Sequence, residues 1–375
     1  MFRNATLLRL MRILRGTHAA ALPPTALTIG NFDGLHLGHR AMLAELRLAA
    51  AQRGLATALL TFEPHPRELF APQTAPTRLT SLREKLEFLA AEGIDYVILQ
   101  RFNAAFAGIQ ALDFRDQILA RDLNARFVLV GDDFRFGSKR GGDFALLKAS
   151  TDFEVQSVPT IALGEERVSS TAVRHALAAG HMHLAAQLLG RPYSISGRVV
   201  GGDKLGRELG FPTANIRIRH NRPPMMGIYA VRVHGLDQVY EGVASLGVRP
   251  TVKGAGAAPV LEVYLFDFNR QIYGEHLRVD FFCTSCATNR NLTGWKRWWR
   301  KSTRIATTPG PGCKHIPWGY RCSQRSAPRY STVNIRLFKA IRDRENEIHE
   351  RQAVEQVPRQ PARHAVPDAW RPGQA

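Results

Sequence analysis

The stretch "ALTIGNFDGLHLGHR", residues 26–40, decides the fold of the N-terminal part of the chain. Its apolar start predicts a buried strand, and the helical spacing of Met42, Leu43 and Leu46 predicts a helix from about Gly38 to Arg53. After the helix, "LATALLTF" (55–62) predicts a second buried strand. Strand, helix and strand in this order form a βαβ unit, which requires the two strands to run parallel.

The same alternation continues as far as about residue 160. Further strands are predicted at "DYVIL" (95–99), "ARFVLVG" (125–131) and "FEVQSV" (153–158), with helices at "SLREKLEFLAAEG" and "ALDFRDQILARDL" between them. "RILRG" (12–16) reads as the first strand, which favours Met11 over Met1 as the start of the protein. We expect a doubly wound, Rossmann-like α/β sheet that binds its ligand at the carboxyl ends of the strands.

The pattern changes near residue 191. Short strands now alternate with Gly and Pro turns, as in "GIYAVRVHG", "VYEGVASLG", "LEVYLFDF" and "EHLRVDFF". This pattern predicts a small antiparallel β-barrel, with the helix "HMHLAAQLLG" (181–190) bridging the two regions. We therefore predict an α/β domain over 11–185, a barrel over 186–283 and a basic tail over 284–375.

The positive charge is concentrated in that tail. Residues 284–375 carry 18 Lys or Arg and 6 Asp or Glu, so they hold 12 of the 19 net positive charges. All five tryptophans lie beyond residue 290. With high charge and low apolar periodicity, most of the tail is expected to be disordered. A strongly basic chain generally indicates a polyanionic partner, but here the uneven distribution argues against one for the folded part.

Two histidines make the end of the first buried strand a candidate phosphate site. His36 and His39 lie where the strand ends and the helix begins, so free backbone N–H groups and the positive helix end point there. Gly30, Gly34 and Gly38 allow an anion to approach the backbone closely. The alternative is a capping or core histidine pair with ordinary turn glycines.

Three other stretches favour the phosphate site. "FEPHP" (62–66) places His65 at the end of the next strand, and "GDDFRFGSKRGGD" (131–143) follows a third strand. "SSTAVR" (169–174) opens another helix with three hydroxyl side chains and has Arg174 one turn further on. All of these stretches lie at strand ends or helix starts, so a triphosphate could be held between the two helix starts.

These motifs, in this order, resemble the bacterial bifunctional riboflavin kinase/FAD synthetase family. The resemblance implies transfer of AMP from ATP to FMN with release of pyrophosphate, with Mg²⁺ and without a covalent intermediate. It implies that His36 and His39 contact the ATP phosphates. The other implied ATP-binding residues are Gly30, Asn31, Gly38, Ser170, Thr171 and Arg174, and a loop for flavin or nucleotide would include His65, Asp133 and Arg140.

The barrel contains a second candidate site in "GRVVGGDKLGRELGFPTANI" (197–216). Its glycines and basic residues predict a phosphate loop made by Gly202, Lys204, Gly206 and Arg207. Thr213 and Asn215 are two residues apart, so they point the same way on a strand, and their oxygens suit Mg²⁺ when phosphates complete its coordination. The alternative is a surface strand with ordinary polar residues.

Glu262 lies beside aromatic residues on one face of the strand "LEVYLFDF". From the residues alone, an exposed strand glutamate and a general base are both open interpretations. "LGFPTANI" followed by "EVYLFDFNRQIYG" resembles the riboflavin kinase module. That resemblance implies that Glu262 deprotonates the ribityl hydroxyl that attacks the ATP γ-phosphate, with Thr213 and Asn215 beside Mg²⁺ and phosphate.

The resemblance covers about residues 11–282 and stops near Cys283. The family continues with a stretch of the type KLRxExKF and an amphipathic helix. This chain instead reads "CTSCATNRNLTGWKRWWRKS". Codons can be chosen for residues 284–291 so that a neighbouring frame encodes K-L-R-D-E-P and then Lys or Asn. We interpret the tail as the product of a shifted reading frame, which puts the kinase half in question.

Flavins (riboflavin, FMN and FAD), ATP and Mg²⁺ are therefore the expected ligands, with small-molecule substrates and no nucleic-acid or membrane partner. No run of 18 or more apolar residues predicts a transmembrane helix. We expect a cytoplasmic enzyme that is a monomer or a weak oligomer. The alternatives are an adenylyltransferase without kinase activity and a nucleic-acid-binding protein that uses the basic tail.

Overall fold

The computed structural model describes residues 11–18, 21–164, 166–201, 213–218, 222–248 and 259–284. The basic tail predicted over 284–375, which was expected to be mostly disordered, lies outside the described residues from residue 285 onward. All four residues of the predicted phosphate loop of the barrel also lie outside them. In the described part, an α/β region comes first along the chain and an antiparallel barrel follows.

The N-terminal sheet has six parallel strands: β1 Arg12–Arg15, β2 Thr25–Ile29, β3 Ala56–Glu63, β4 Tyr96–Arg101, β5 Ala125–Gly131 and β6 Glu154–Val158. Their spatial order is β1-β4-β3-β2-β5-β6. Every residue of β2 is buried, as expected for a central strand. The strand order reverses between β2 and β5, and in such sheets the ligand crevice opens outside the carboxyl ends at this point. The predicted α/β fold is confirmed.

Eight α-helices are seen in the described residues: α1 Leu37–Arg53, α2 Pro66–Phe70, α3 Leu82–Ala91, α4 Ala104–Ala107, α5 Ala111–Asp113, α6 Phe144–Lys148, α7 Ser170–Ala178 and α8 Met182–Leu189. Helix α1 ends at Gly54, whose φ of 64° is left-handed and favours glycine. Helix α3 begins with a capping box between Ser81 and Glu84. Across the described ranges, no helix has the length and apolar character needed to cross a membrane.

One predicted helix has a different type. "ALDFRDQILARDL" suggests a continuous α-helix, but α5 passes into a π-helix over Phe114–Asp122. Phe114, Ile118 and Leu123 are all buried in the same core cluster, and they are spaced by four and then five residues. That spacing fits the wider turn of a π-helix, in which the backbone bonds run from i to i+5. A short 3₁₀ turn also forms at Ser138–Arg140.

The predicted barrel is confirmed as a closed ring of six antiparallel strands. The strands are β9 Tyr193–Val200, β10 Thr213–Arg217, β11 Gly227–His234, β12 Tyr240–Val248, β13 Pro259–Leu265 and β14 His276–Thr284, in the order β10-β13-β12-β11-β14-β9. A two-stranded hairpin, β7 Ala162–Leu163 with β8 Glu166–Arg167, precedes α7.

Helices α7 and α8 share a hydrophobic core with the barrel. Val173, Leu177 and Leu188 belong to the same buried cluster as Ile195 and Phe281. The predicted boundary at 185/186 therefore falls inside α8, which packs on β9 and β14. The division of the chain into domains remains a prediction.

Candidate active sites

The loop between β2 and α1 has an unusual backbone. Phe32, Gly34 and Leu35 have φ values of 48°, 81° and 40°, so two bulky residues adopt the left-handed conformation. Such conformations are unfavourable for side chains with a Cβ atom and persist only where the surroundings impose them. Here the side chains of Phe32 and Leu35 are fully buried, which anchors the turn on both sides of Gly34.

Asp33 ties this loop to the segment before α3. Its buried carboxylate accepts hydrogen bonds from the backbone N–H groups of Leu79 and Thr80 and from the Thr80 hydroxyl. The Gly34 N–H in turn donates to Thr80 Oγ1 at 3.2 Å. A Cβ atom at Gly34 would lie 2.7 Å from Leu79 Cδ1, so the close approach of these two segments requires glycine.

The two candidate histidines lie at the start of α1 with their rings stacked. The ring centroids of His36 and His39 are 3.7 Å apart, with 18° between the planes. His36 caps the helix, because its Nδ1 accepts from the backbone N–H of His39 at 3.3 Å. An imidazole that accepts through Nδ1 carries its proton on Nε2, so His36 has an Nε2–H donor. A Cβ atom at Gly38 would lie 3.2 Å from the His36 ring, so a larger residue there would require the ring to shift.

Burial keeps both imidazoles neutral near pH 7. Desolvation lowers the pKa of His36 from 6.5 to about 4, although the nearby Asp33 carboxylate acts in the opposite direction. Desolvation, with a smaller effect of His36, lowers the pKa of His39 well below its ordinary value. The Nδ1 of His39 is buried and has no hydrogen-bond partner among the described residues. The pair therefore offers neutral hydrogen-bonding groups rather than fixed positive charges.

The start of α7 meets the start of α1. Ser169 caps α7 by accepting from Ala172 N–H at 3.1 Å, and Ser170 Oγ donates to the Asp33 carbonyl at 2.9 Å. Thr171 is exposed at the same helix start. Two helix N-termini thus converge at the rim of the sheet, as the sequence predicts, and both can attract an anion.

Arg174 is tied to protein groups. Its Nη2 lies 2.5 Å from Asp33 Oδ2, and its Nε donates to the Thr77 carbonyl at 2.6 Å. Sequence reasoning missed Asp33, although it lies within the quoted stretch. An acidic residue inside a loop that is expected to bind phosphate needs a basic partner, and this was the available signal. A role of Arg174 at the ATP phosphates remains a prediction.

Gly30 and Asn31 complete the loop at its β2 end. A Cβ atom at Gly30 would lie 3.0 Å from the Phe32 ring, so the tight turn favours glycine there. The Oδ1 of Asn31 is buried without a hydrogen-bond partner in the part of the chain that the structure describes. A buried acceptor of this kind is costly unless a ligand or water satisfies it, so Asn31 fits a place in the binding site.

His65, Asp133 and Arg140 differ in their surroundings. His65 caps α2 through Nδ1, which accepts from Arg67 N–H at 3.2 Å, so it also carries its proton on Nε2. Burial lowers its pKa, although the Asp33 carboxylate acts in the opposite direction. His65 follows the end of β3, so it lies at the carboxyl-end rim of the sheet. Asp133 is exposed and pairs with Arg167 at 2.8 Å. Arg140 is exposed at the 3₁₀ turn, and no hydrogen bond of its side chain is seen within the described ranges.

The barrel brings the predicted magnesium residues beside the predicted base. Asn215 on β10 lies directly opposite Glu262 on β13, and Thr213 lies opposite Tyr264. The Oδ1 of Asn215 is buried and has no hydrogen-bond partner among the described residues, so it could bind a cation. No cluster of three or more His, Cys, Asp or Glu side chains in the described ranges could hold a metal ion by itself. The loop residues Gly202, Lys204, Gly206 and Arg207 lie outside the described residues.

The two regions match two families. Residues 18–172 match the FAD synthetase family and residues 189–285 match the riboflavin kinase family. The chain is 49% identical over 276 residues to the bifunctional riboflavin kinase/FMN adenylyltransferase of Escherichia coli (strain K12). The aligned residues cover 72% of this chain and 88% of the relative. The chain belongs to the bifunctional riboflavin kinase/FMN adenylyltransferase family. Its relative of the same name in Haemophilus influenzae is 46% identical over 277 residues, with 72% of this chain and 89% of the relative covered.

The two matched ranges contain the two candidate sites. The FAD synthetase match includes the loop with His36 and His39, and the riboflavin kinase match includes the barrel strands with Asn215 and Glu262. A crystal structure of a protein named macrolide-efflux protein, from Streptococcus pneumoniae, has the same fold. It matches with a TM-score of 0.65 and 27% identity, over 79% of this chain and 98% of the other.

Proposed function

We propose that the chain makes flavin cofactors in two ATP-dependent steps. The barrel phosphorylates riboflavin to FMN, and the α/β region transfers AMP from ATP to FMN, which gives FAD and pyrophosphate. The observation that carries the second assignment is the stacked pair His36–His39 at the start of α1, beside the point where the strand order reverses. The names of the relatives describe the same two activities.

Adenylylation depends on alignment and electrostatics. An FMN phosphate oxygen attacks the α-phosphorus of ATP, and the bond from that phosphorus to the bridging oxygen breaks as pyrophosphate leaves. Negative charge that develops on the phosphates is stabilised by the α1 N-terminus and by neutral imidazole donors such as His36 Nε2–H. No enzyme nucleophile is needed, because holding the two substrates in line lowers the barrier by itself.

The remaining ATP contacts are assigned to the loop and to the α7 start. Gly30, Gly38 and Asn31 line the loop, and Ser170 and Thr171 extend the α7 start. Arg174 supports this arrangement through its ion pair with Asp33. For the flavin or nucleotide side of the site we propose His65, Asp133 and Arg140, which follow the neighbouring strands β3 and β5.

In the barrel, Glu262 is the proposed general base. It takes the proton of the ribityl hydroxyl, whose oxygen attacks the γ-phosphorus of ATP, and ADP leaves. Thr213 and Asn215 would hold Mg²⁺, and the unpartnered Oδ1 of Asn215 supports this assignment. The metal ion would neutralise phosphate charge. Gly202, Lys204, Gly206 and Arg207 are proposed to bind the ATP phosphates in this half.

The proposed partners are small molecules only, and nucleic acid and membranes are not among them. We propose a cytoplasmic enzyme, where ATP is available for both steps, in the form of a monomer or weak oligomer.

Chromatography of flavins tests the proposal directly. The chain is incubated with ATP, Mg²⁺ and either riboflavin or FMN, and both incubations are expected to yield FAD. A second candidate function, adenylylation alone, is favoured by the end of the riboflavin kinase match at residue 285 of a 375-residue chain. FAD formed from FMN but not from riboflavin would identify that second function. No FAD from FMN would contradict both.

A further inference from the structure

Arg191 lies just before the barrel and contacts the loop between β2 and α1. It lies between α8 and β9, yet its Nη2 donates to the Gly34 carbonyl at 2.8 Å and its Nη1 to the Leu35 carbonyl at 3.2 Å. Both contacts join residues more than 150 positions apart in the sequence. The guanidinium therefore links the beginning of the barrel to the strained turn that precedes His36.

The surroundings of Arg191 hold its guanidinium in one place. The group lies over the Phe88 ring, 3.9 Å from the ring centroid, and Nη1 also donates to the Leu189 carbonyl at 3.4 Å. Among the described residues no carboxylate forms an ion pair with it. A planar guanidinium that stacks on a ring and donates to two backbone carbonyls holds those carbonyls at a fixed distance. A flexible lysine cannot make the same pair of hydrogen bonds.

The two carbonyls that accept from Arg191 belong to left-handed residues. Gly34 has a φ of 81° and Leu35 a φ of 40°, and Leu35 is followed directly by the helix cap His36. Hydrogen bonds to both carbonyls fix the peptide planes of the turn, so they fix where His36 begins the helix. Without them the unfavourable φ of Leu35 could relax, and the stacked imidazoles would move with it.

A second contact binds the same two parts of the chain. The backbone N–H of Ser196 in β9 donates to the buried carboxylate of Glu84, which also accepts from Ser81 N–H at the start of α3. Because α3 carries Phe88, the helix that supports the Arg191 guanidinium is itself held to the barrel. Arg191 thus acts between two elements that are already fixed relative to each other.

We propose that Arg191 is a positioning residue for FMN adenylylation, which holds the turn before His36 from the barrel side. This inference rests on the proposed function for its catalytic consequence. Arg191 lies just before the first barrel strand, yet it would support the α/β site. Adenylylation would then depend on a residue outside the sheet rim.

The test compares Arg191→Ala and Arg191→Lys with Arg47→Ala in the full chain. Arg47 is a matched control, because its Nη1 also donates to a backbone carbonyl, that of Glu92 at 3.2 Å, but at an exposed position of α1. We expect the kcat for FMN adenylylation to fall about 100-fold in Arg191→Ala, since small misplacements of reacting groups have effects of that order. The KM for FMN and the kinase rate should stay near their original values.

Chemical rescue separates positioning from general damage. Millimolar guanidinium should restore a large part of the adenylylation activity of Arg191→Ala, and it should not change the activity of Arg47→Ala. Should Arg191→Ala fail to fold, Arg191→Lys carries the test, because lysine cannot donate to both carbonyls in the same planar geometry. A folded Arg191→Lys or Arg191→Ala chain with full adenylylation activity would overturn the proposal, as would lost activity that guanidinium does not restore in a folded Arg191→Ala chain.

Hydrogen exchange tests the positioning role without catalysis. Amide exchange in residues 30–40 should become faster in both Arg191 variants, and guanidinium should slow it again in Arg191→Ala. Unchanged exchange in this segment would refute the positioning role. A chain that makes no FAD from FMN would contradict the proposed function, whereas the exchange result would still decide whether Arg191 holds the loop.

Discussion

The imidazole of His36 stacks on that of His39, with 3.7 Å between the ring centroids, and His36 is buried. Protonation of either ring would place a positive charge in a desolvated position beside the other. The pair is therefore suited to neutral hydrogen bonding, and it makes the fold sensitive to acid.

We expect the free energy of unfolding to decrease as the pH falls from 6.5 to about 4. The pKa of His36 is about 4 in the folded chain and near 6.5 when unfolded, so the unfolded chain binds more protons in this window and stability rises with pH. The full difference is roughly 3 kcal/mol. Urea unfolding at pH 7 and pH 4 should show a smaller loss for His36→Gln than for the original chain.

Substitution of Asp33 should damage the fold and the adenylylation site together. In Asp33→Asn the buried ion pair with Arg174 is lost, and breaking such a pair from one side typically costs about 3–5 kcal/mol. The exposed pair Asp133–Arg167 provides the comparison, and Asp133→Asn should cost less than about 1 kcal/mol. Urea midpoints of the two variants measure the difference. Equal midpoints would show that Asp33 does not organise the loop.

Glu262→Gln should separate the two activities. Loss of the general base should lower the rate of riboflavin phosphorylation by about 10²–10⁴-fold, while FAD formation from FMN continues. Glu241→Gln, on the neighbouring strand β12, should leave both rates nearly unchanged. Separate assays with riboflavin and with FMN give the two rates. A kinase rate that survives in Glu262→Gln would exclude the glutamate as the base.

The gene should contain a frame change near codon 283. The riboflavin kinase match ends at residue 285, which is where the composition turns rich in Trp, Cys and Arg. Resequencing of this region is expected to reveal an inserted or missing nucleotide. Restoring the frame should raise the kinase rate and leave adenylylation from FMN unaffected. An intact frame in the genomic DNA would refute this interpretation.

Local patterns in the sequence were sufficient to predict most of the fold and the position of the candidate site in the α/β region. The buried run before Gly30 and the periodic residues of α1 identify the βαβ unit, and the prediction of the barrel from alternating strands is confirmed. The π-helix over Phe114–Asp122 was missed, because periodicity assigns a helix more readily than its hydrogen-bond type.

The supporting contacts of the site were beyond such reasoning. Asp33 meets Arg174 across 141 positions and Arg191 meets Gly34 across 157, so neither pairing leaves a periodic trace in the sequence. These two pairings can be recognised only in the folded structure, where the loop, α7 and the start of β9 lie together.

The closed order of the barrel has a consequence for biosynthesis. Strand β14 lies between β11 and β9, so the last of the described strands to be synthesised is the one that closes the ring. Once Thr284 has emerged, every neighbour that the six strands require has been synthesised. Cotranslational closure of the barrel therefore need not wait for any residue that follows, whatever reading frame encodes it.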